Sequence, residues 1–238
     1  MRLWLIAPFF LLACAGNTAV PSETRLTVVF LGDSLTAGLG LPLEQAFPSL
    51  IEARLKAGEL IVAIGDSITA GGGYLRDIDA VLAQQYPELK ATKVVNAGVS
   101  GDTTAGGLVR LDWIYEQKVD VLVVALGAND GLRGIPVEQT EKNLRAILQR
   151  ARKEGSRVLL TGLRLPDNFG TRAQARFAAI YPRLASEFRV PLVPFLLEGV
   201  AMEPGLNQAD GIHPNAKGAR RVADHIWEKL GPMLSSPR

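Results

Sequence analysis

The stretch that decides the fold is Val28-Val-Phe-Leu-Gly-Asp-Ser34-Leu-Thr-Ala-Gly-Leu-Gly40, and the chain repeats it as Ile61-Val-Ala-Ile-Gly-Asp-Ser67-Ile-Thr-Ala-Gly-Gly-Gly73. We call the two stretches copy one and copy two; they are identical at 8 of 13 positions, at an offset of 33. A short apolar run that ends in Gly-Asp-Ser is typical of a buried strand followed by a turn. Each copy therefore predicts a strand that leaves a serine just beyond its carboxyl end.

A histidine near the other end of the chain gives such a serine a possible partner. The chain has only two histidines, and His213 stands in the segment Asp210-Gly-Ile-His213-Pro. A serine hydroxyl is a weak nucleophile near neutral pH, so it needs a base, and a carboxylate three residues earlier can orient the imidazole ring. His225 lies in an amphipathic segment, and we interpret it as a partly solvated helix residue. These residues predict a serine esterase and leave open which serine reacts.

Length and composition bound the other possibilities. The chain has 238 residues, of which 47% are hydrophobic, and this suits one globular domain over residues 26–238. The formal net charge is +2, with acidic and basic residues interleaved. Because binding to a phosphate backbone requires a dense basic face, nucleic acid is not expected as a partner.

The N-terminus has the pattern of an export signal. Residues 1–13 combine one positive charge with a short apolar run, which is too short to span a membrane. The segment Leu11-Leu-Ala-Cys14 resembles the bacterial lipoprotein box, so lipid attachment at Cys14 is expected, followed by a polar tether over residues 14–25. The alternative is an ordinary signal peptide with an accidental cysteine. The predicted location is the periplasm, or a membrane surface facing it: the outside of the inner membrane or the outer membrane.

Apolar strand patterns alternate with helical patterns along the rest of the chain, which predicts an α/β fold with a central parallel sheet flanked by helices. The expected strands are Leu26–Leu31, Ile61–Ile64, Lys93–Asn96, Val119–Leu126, Arg157–Leu163 and Leu192–Leu196. The expected helices are Phe47–Ala57, a segment from Leu75 to Leu82, a long helix from Pro136 to Gly155, and Ala216–Leu230. Polar clusters follow several of the strands, and ligands bind at the carboxyl ends of strands in such sheets. One site at this edge is therefore predicted.

Four ordered blocks carry a resemblance to a known family. They are Gly-Asp-Ser-Leu after a strand, Asn96-Ala-Gly-Val-Ser-Gly101-Asp-Thr, Leu126-Gly-Ala-Asn129-Asp-Gly-Leu-Arg-Gly134 and Asp210-Gly-Ile-His213-Pro. Together they resemble the SGNH (GDSL) hydrolases, in particular the branch of arylesterases, thioesterase I and lysophospholipases. The resemblance implies a flavodoxin-like three-layer sandwich and a Ser-His-Asp esterase without a cofactor. It also implies an oxyanion hole made by the serine amide, Gly101 and the Asn129 side chain.

Several carboxylates near these blocks need an interpretation. Asp102 and Asp130 could together hold a divalent metal ion, but no histidine cluster accompanies them, and hydrogen-bonded loop carboxylates are commoner. We therefore predict no metal. Asp33 and Asp66 adjoin the two candidate serines, and capping of the following turn is the simpler role for both.

The duplication leaves the nucleophile open between Ser67 and Ser34. Ser67 stands 34 residues before Gly101, which is room for one helix and one return strand, whereas Ser34 stands 67 residues before it. A compact βαβ unit closes with less loop entropy, so spacing favours Ser67, with Ser34 as the alternative. The two duplicated units span residues 26–58 and 60–91. The other copy would then be an extra edge strand or a decoy insert, or the two strands would compete for one central slot and disrupt the sheet.

The predicted activity is hydrolysis of carboxylic esters, thioesters or lysophospholipids through an acyl-enzyme, with a small molecule or a lipid as substrate. The segments Leu163–Thr171 and Leu197–Gln208 are expected to shape the acyl groove. A carbohydrate O-deacetylase of the same fold is the alternative enzyme, because fold alone does not fix the substrate. A protein that binds an acyl ligand without turning it over is the alternative from another class.

Overall fold

The structure is a computed structural model that describes residues 27–37, 39–42, 45–46, 48, 62–66, 72–74 and 93–235. For residues 27, 35, 62–66, 72–74, 93 and 235 the description covers the backbone alone. The predicted signal segment and the tether lie outside the described residues, as do, apart from Pro48, the helices expected at Phe47–Ala57 and Leu75–Leu82. Every described helix falls short of the length or the apolar character that crossing a bilayer requires.

A parallel sheet forms the centre of the molecule, as the alternating pattern predicts. The strands are β1 (Thr27–Asp33), β2 (Gln45–Ala46), β3 (Val62–Asp66), β4 (Gly72–Tyr74), β5 (Lys93–Gly98), β6 (Val121–Ala125), β7 (Arg157–Thr161) and β8 (Leu192–Val193). Every residue of β6 is apolar and buried, which is typical of a strand covered on both faces. β7 pairs with β6, and β8 pairs with β7, all in parallel. The strand predicted at Leu192–Leu196 is present as β8, which ends at Val193 and is therefore shorter than predicted.

The strands of the two copies pair with the same neighbours in this sheet. β1 pairs with β5 and with β6, and β3 pairs with the same two strands. The two strands also pair with each other, and the order of the six strands is β1, β5, β3, β6, β7 and β8. These pairings place the strand of the second copy between β5 and β6.

Helices pack around the sheet in two groups. They are α1 (Ser34–Ala37), α2 (Thr104–Ile114), α3 (Ala128–Leu132), α4 (Val137–Lys153), α5 (Thr171–Ala178), α6 (Ile180–Phe188) and α7 (Ala216–Ser235), with a 3₁₀ turn at Asp167–Phe169. α2 packs on α4, and α4 packs on α6, while α7 contacts β2, β4 and β8. The long helix expected after Pro136 is confirmed, and the last helix runs five residues beyond its predicted end.

The core sits between these layers and positions the carboxyl edge of the sheet. Phe30 and Leu31 of β1 are fully buried there, as are Phe177 and Tyr181, whose rings meet edge to face. The Tyr181 hydroxyl donates to the Leu126 carbonyl at 3.1 Å. This bond fixes the end of β6 just before Asn129.

Candidate active site

His213 lies between a serine and a carboxylate at the carboxyl edge of the sheet. Its Nε2 is 3.2 Å from Ser34 Oγ, and its Nδ1 is 2.6 Å from Asp210 Oδ2. Ser34 begins α1 directly after β1, so the strand end holds the hydroxyl in place. These distances match a nucleophile, a base and a group that orients the base.

Asp210 is held by its own turn as well as by the histidine ring. Its Oδ1 accepts the backbone N–H groups of Ile212 and His213, each at 2.9 Å. Partial burial acts to raise the pKa of Asp210, but the hydrogen bonds from His213 and Ile212 outweigh it and lower the pKa below its ordinary value. The carboxylate therefore stays ionised and can stabilise a protonated imidazole.

Copy two contributes backbone but no described side chain to this edge. β3 ends at Asp66, whose register partner in β1 is Asp33. Ser67 follows Asp66 in the sequence and lies outside the described residues. The preference for Ser67 that residue spacing suggests stays a prediction, and among described serines Ser34 contacts the base.

Gly101 and Asn129, which the family resemblance implies for the oxyanion hole, follow β5 and β6, the two strands on either side of β3. Asn129 Nδ2 donates to Asp33 Oδ2 at 2.7 Å, which leaves its second N–H for another acceptor. Gly101 has φ +76°, a conformation that side chains rarely adopt, and its carbonyl accepts from Arg133 Nη2 at 2.7 Å. Because Asp33 precedes Ser34, the bond from Asn129 brings the amide close to Ser34.

The carboxylates near the site have hydrogen-bonded structural roles. Asp130 is fully buried and accepts the Thr104 backbone N–H at 2.8 Å and the Thr104 hydroxyl at 2.5 Å. Asp102 pairs with Arg110 at 2.6 Å. Asp130 thus ties α3 to the start of α2, the two elements that carry Asn129 and follow Gly101. These contacts agree with the hydrogen-bonded role predicted for both carboxylates.

Arg110 is a residue of this edge that sequence reasoning missed. Its Nη2 donates to the Gly32 carbonyl at 3.0 Å, and its Nη1 donates to the Ala97 carbonyl. The guanidinium therefore joins the ends of β1 and β5, and Asp102 offsets its charge. Arg110 follows Asp102 by 8 residues, farther than the three or four that bring helical side chains together, so the spacing gave no signal of the pair.

Asp33 has a partner that its predicted capping role did not indicate. Burial raises its pKa well above the ordinary value of 3.8; the Asn129 side-chain hydrogen bond works against this, while the charges of Asp102 and Asp130 raise the pKa further. A raised pKa means that the folded state holds the proton more tightly than the unfolded chain does. The contribution of Asp33 to stability is therefore greatest below pH 3.8 and declines as the pH rises above that value.

Asp33→Asn is accordingly expected to stabilise the fold at pH 7 by on the order of 1 kcal/mol, because it removes a buried charge and keeps an acceptor for Asn129. The gain should shrink as the pH falls towards 4.5, where more of Asp33 is already protonated in the wild type. Urea unfolding of both proteins at the two pH values measures this, with Asp112→Asn, an exposed carboxylate on α2, as control. A stability difference that is the same at both pH values would contradict the assignment.

An apolar cavity opens beside the histidine. Its volume is about 810 Å³, and its lining includes Ala128 next to Asn129 and Ile212 next to His213. The other lining residues come chiefly from two segments, as expected from the sequence: Leu163, Arg164, Leu165, Pro166, Asp167, Asn168 and Thr171 from the first, and Leu197, Ala201 and Met202 from the second. α5 contributes Ala175 and Ala178. A chain of carbon atoms that extends from a carbonyl at Ser34 would find apolar surroundings here.

Arg164, which lines this cavity, has two partners. The Arg164 guanidinium stacks 4.5 Å from the centre of the Phe195 ring and lies 3.5 Å from Glu198. Its charge is therefore balanced, and its flat face covers the aromatic ring. His225 is half-buried on α7, as expected for a partly solvated helix residue.

One family of known enzymes matches most of the chain. Residues 63–221 match the model of the GDSL-like Lipase/Acylhydrolase family. The matched region begins inside β3, so it includes Gly65-Asp66-Ser67 and excludes Ser34. Family similarity thus reaches copy two, while the contact with His213 comes from copy one.

Individual relatives of this chain are named as an esterase and a thioesterase. The chain is 39% identical over 209 residues to Esterase TesA of Pseudomonas aeruginosa, covering 87% of this chain and 89% of that protein. It is 41% identical over 196 residues to Thioesterase 1/protease 1/lysophospholipase L1 of Escherichia coli K12, covering 79% and 91%. Among solved structures, the crystal structure of TesA superposes with a TM-score of 0.71 at 38% identity, covering 88% of this chain and 99% of that one.

Proposed function

Because the chain belongs to the GDSL-like lipase/acylhydrolase family and is a carboxylic ester hydrolase, we propose that Ser34 is its nucleophile, His213 its base and Asp210 the carboxylate that orients the base. The observation that carries this assignment is the continuous contact from Ser34 Oγ to His213 and from His213 to Asp210, at 3.2 and 2.6 Å.

The reaction proceeds in two halves. Ser34 Oγ attacks the carbonyl carbon while His213 Nε2 takes the hydroxyl proton, and Asp210 stabilises the imidazolium. The bond from Oγ to carbon forms, the bond to the leaving oxygen or sulfur breaks, and His213 returns its proton to that leaving group. Water then attacks the acyl-enzyme with His213 again as base, which releases the acid and restores Ser34.

Charge on the carbonyl oxygen is stabilised by neutral donors in this proposal. The N–H groups of Ser34 and Gly101 and the free N–H of Asn129 Nδ2 are the three donors. A positioned donor of this kind contributes about 3–4 kcal/mol to the transition state where removal has been measured. Asp33 orients the Asn129 amide, and Arg133 holds the Gly101 carbonyl turned away from the oxyanion.

Labelling with a fluorophosphonate tests the assignment. The probe phosphorylates an activated serine, and peptide mass spectrometry locates the adduct. We expect the principal adduct on Ser34 of the folded mature chain, with none on Ser186, a serine of α6. Absence of any adduct in a sample that still unfolds cooperatively would favour a protein that binds acyl groups without turnover.

The cavity supports acyl esters as the substrate class. Its apolar lining suits a hydrocarbon chain better than an acetylated sugar, which would need several polar partners. Each methylene that leaves water contributes about 0.8 kcal/mol, so kcat/KM should rise with acyl length until the cavity is filled.

Ala178→Phe tests this use of the cavity. The added ring would occupy space along the α5 side, so kcat/KM for an octanoyl or longer ester is expected to fall about tenfold or more while acetate hydrolysis changes less than threefold. A series of p-nitrophenyl esters measures both, and Ala179→Phe, which is exposed and outside the lining, is the matched control. Equal losses for short and long esters would contradict the proposed groove.

Export and lipid attachment at Cys14 complete the proposal, and they rest on the sequence of residues 1–25. Cells that express the chain and are fed a radioactive or alkyne fatty acid should incorporate it, and Cys14→Ser should abolish incorporation and release the enzyme into the soluble periplasmic fraction. Unchanged membrane association of that variant would contradict lipid anchoring at Cys14.

A further inference from the structure

Arg110 bonds three separate parts of the backbone at the carboxyl edge of the sheet through one guanidinium group. Its Nη1 donates to the Ala97 carbonyl near the end of β5, and its Nη2 donates to the Gly32 carbonyl near the end of β1, the latter at 3.0 Å. Its Nε and Nη2 both donate to Asp102 Oδ2, at 3.0 and 2.6 Å. The guanidinium thus joins two strand ends to the turn that leads into α2.

These acceptors lie next to two of the donors proposed for the oxyanion. Gly32 stands two residues before Ser34 in the sequence. Asp102 directly follows Gly101. The N–H groups of Ser34 and Gly101 therefore belong to segments that are far apart along the chain, one after β1 and one after β5. Because an oxyanion hole works when its donors converge on one point, the relative placement of these two segments decides its strength.

Gly101 lies in a tight turn that Arg110 holds at its last residue. The Asp102 N–H donates to the Val99 carbonyl at 3.1 Å, and the φ of +76° at Gly101 is the value that a type II turn requires at its third position. The Val99 N–H donates at 3.0 Å to the Gly32 carbonyl, which Arg110 also contacts. Both ends of the turn are therefore fixed against the end of β1.

This arrangement requires a guanidinium instead of an ammonium group. Guanidinium is flat and presents five N–H donors in a fixed fork, whereas a lysine carries three donors on one nitrogen at the end of a flexible stem. The pair is also partly buried, with the side chains of Arg110 and Asp102 exposed by 21% and 14%. Charge-assisted hydrogen bonds of this kind are stronger than neutral ones and hold their partners in a defined geometry.

We propose that Arg110 is a positioning residue of the reaction: it holds the N–H of Gly101 in place relative to the N–H of Ser34, so that both donors face the same oxyanion. The proposal rests on the hydrolase function and the oxyanion donors proposed above. Arg110 acts through the backbone, and no bond to it forms or breaks in the cycle. Its replacement should weaken binding of the transition state and leave binding of the ester nearly unchanged.

Arg110→Lys tests this role because it keeps the positive charge and loses the fork. A misplacement of about 1 Å can cost about 10²-fold in rate, so kcat for p-nitrophenyl octanoate should fall about 10- to 10²-fold, with KM changed less than about twofold. The matched control is Arg150→Lys on α4, where the arginine bridges Asp112 and Glu154, and it should keep wild-type kcat. Wild-type kcat in Arg110→Lys, or a loss confined to KM, would overturn the proposal.

A second readout compares two inhibitors of equal chain length on the same variant, at equal folded fraction. An alkyl trifluoromethyl ketone adds to the reactive serine and presents an oxyanion to the donors, whereas an alkanol occupies the apolar cavity without one. In Arg110→Lys the inhibition constant of the ketone should rise by the factor by which kcat falls, and that of the alkanol should change less than about twofold. Equal rises in both constants would show that Arg110 only supports the fold and would overturn the proposal. A wild-type chain whose Ser34 is not labelled by fluorophosphonate would instead overturn the proposed function, and this positioning role with it.

Discussion

Replacing His213 by alanine is expected to lower kcat for ester hydrolysis by about 10⁴-fold or more, with little change in KM. His213 is the proposed base, and its Nε2 lies 3.2 Å from the hydroxyl oxygen of Ser34. Without it, the serine must lose its proton to water during the attack, and the leaving group has no positioned acid. The remaining activity would come from the oxyanion donors and from substrate binding.

The same variant should lose fluorophosphonate labelling of Ser34, because the hydroxyl loses its base. His225→Ala, which alters the other histidine of the chain, should keep wild-type kcat. Hydrolysis by His213→Ala within tenfold of the wild type, at equal folded fraction, would show that another group is the base.

The parts of the molecule that local patterns determine could be predicted from the sequence. β6 is apolar at each position, as is typical of a strand that is buried on both faces. The sequence alone therefore predicted this strand. Asp210 and His213 are three residues apart, and a turn of that length brings a carboxylate to the ring nitrogen whatever the rest of the fold does. Both features are short-range consequences of residue type and spacing.

Contacts across long sequence separations could not be predicted in this way. The bond from Asn129 to Asp33 joins residues 96 apart, and Arg110 reaches a carbonyl 78 residues away. Neither contact produces a periodic signal, because it depends on which strands are neighbours. The interpretation of Asp33 as a cap used local geometry alone and missed the amide that it orients.

The choice of nucleophile shows the same limit. Spacing to Gly101 favours Ser67 because a shorter loop costs less entropy, but doubling a loop changes that cost by only about 0.6 kcal/mol. Packing of one buried aromatic side chain is several times larger, and in this chain it acts in the opposite direction. Phe30 is fully buried on β1, and copy two has Ala63 at the equivalent position of the repeat, so burial favours Ser34 where spacing favours Ser67.

Replacing Ser34 by alanine is expected to lower kcat for ester hydrolysis by about 10⁴-fold or more, which equals the loss expected for His213→Ala. The proposed nucleophile and its base act as a unit, because His213 Nε2 lies 3.2 Å from Ser34 Oγ. Losses from residues that act as a unit do not add, so the double variant Ser34→Ala, His213→Ala should lose no more activity than either single variant.

Ser67→Ala should keep nearly wild-type kcat under this assignment, and the double variant Ser34→Ala, Ser67→Ala should fall only to the level of Ser34→Ala. Rates of p-nitrophenyl ester hydrolysis at equal folded fraction measure this, and they decide between the two serines of the repeat. If instead Ser67→Ala is the inactive single variant, copy two supplies the nucleophile, and the contact of Ser34 with His213 takes no part in the reaction.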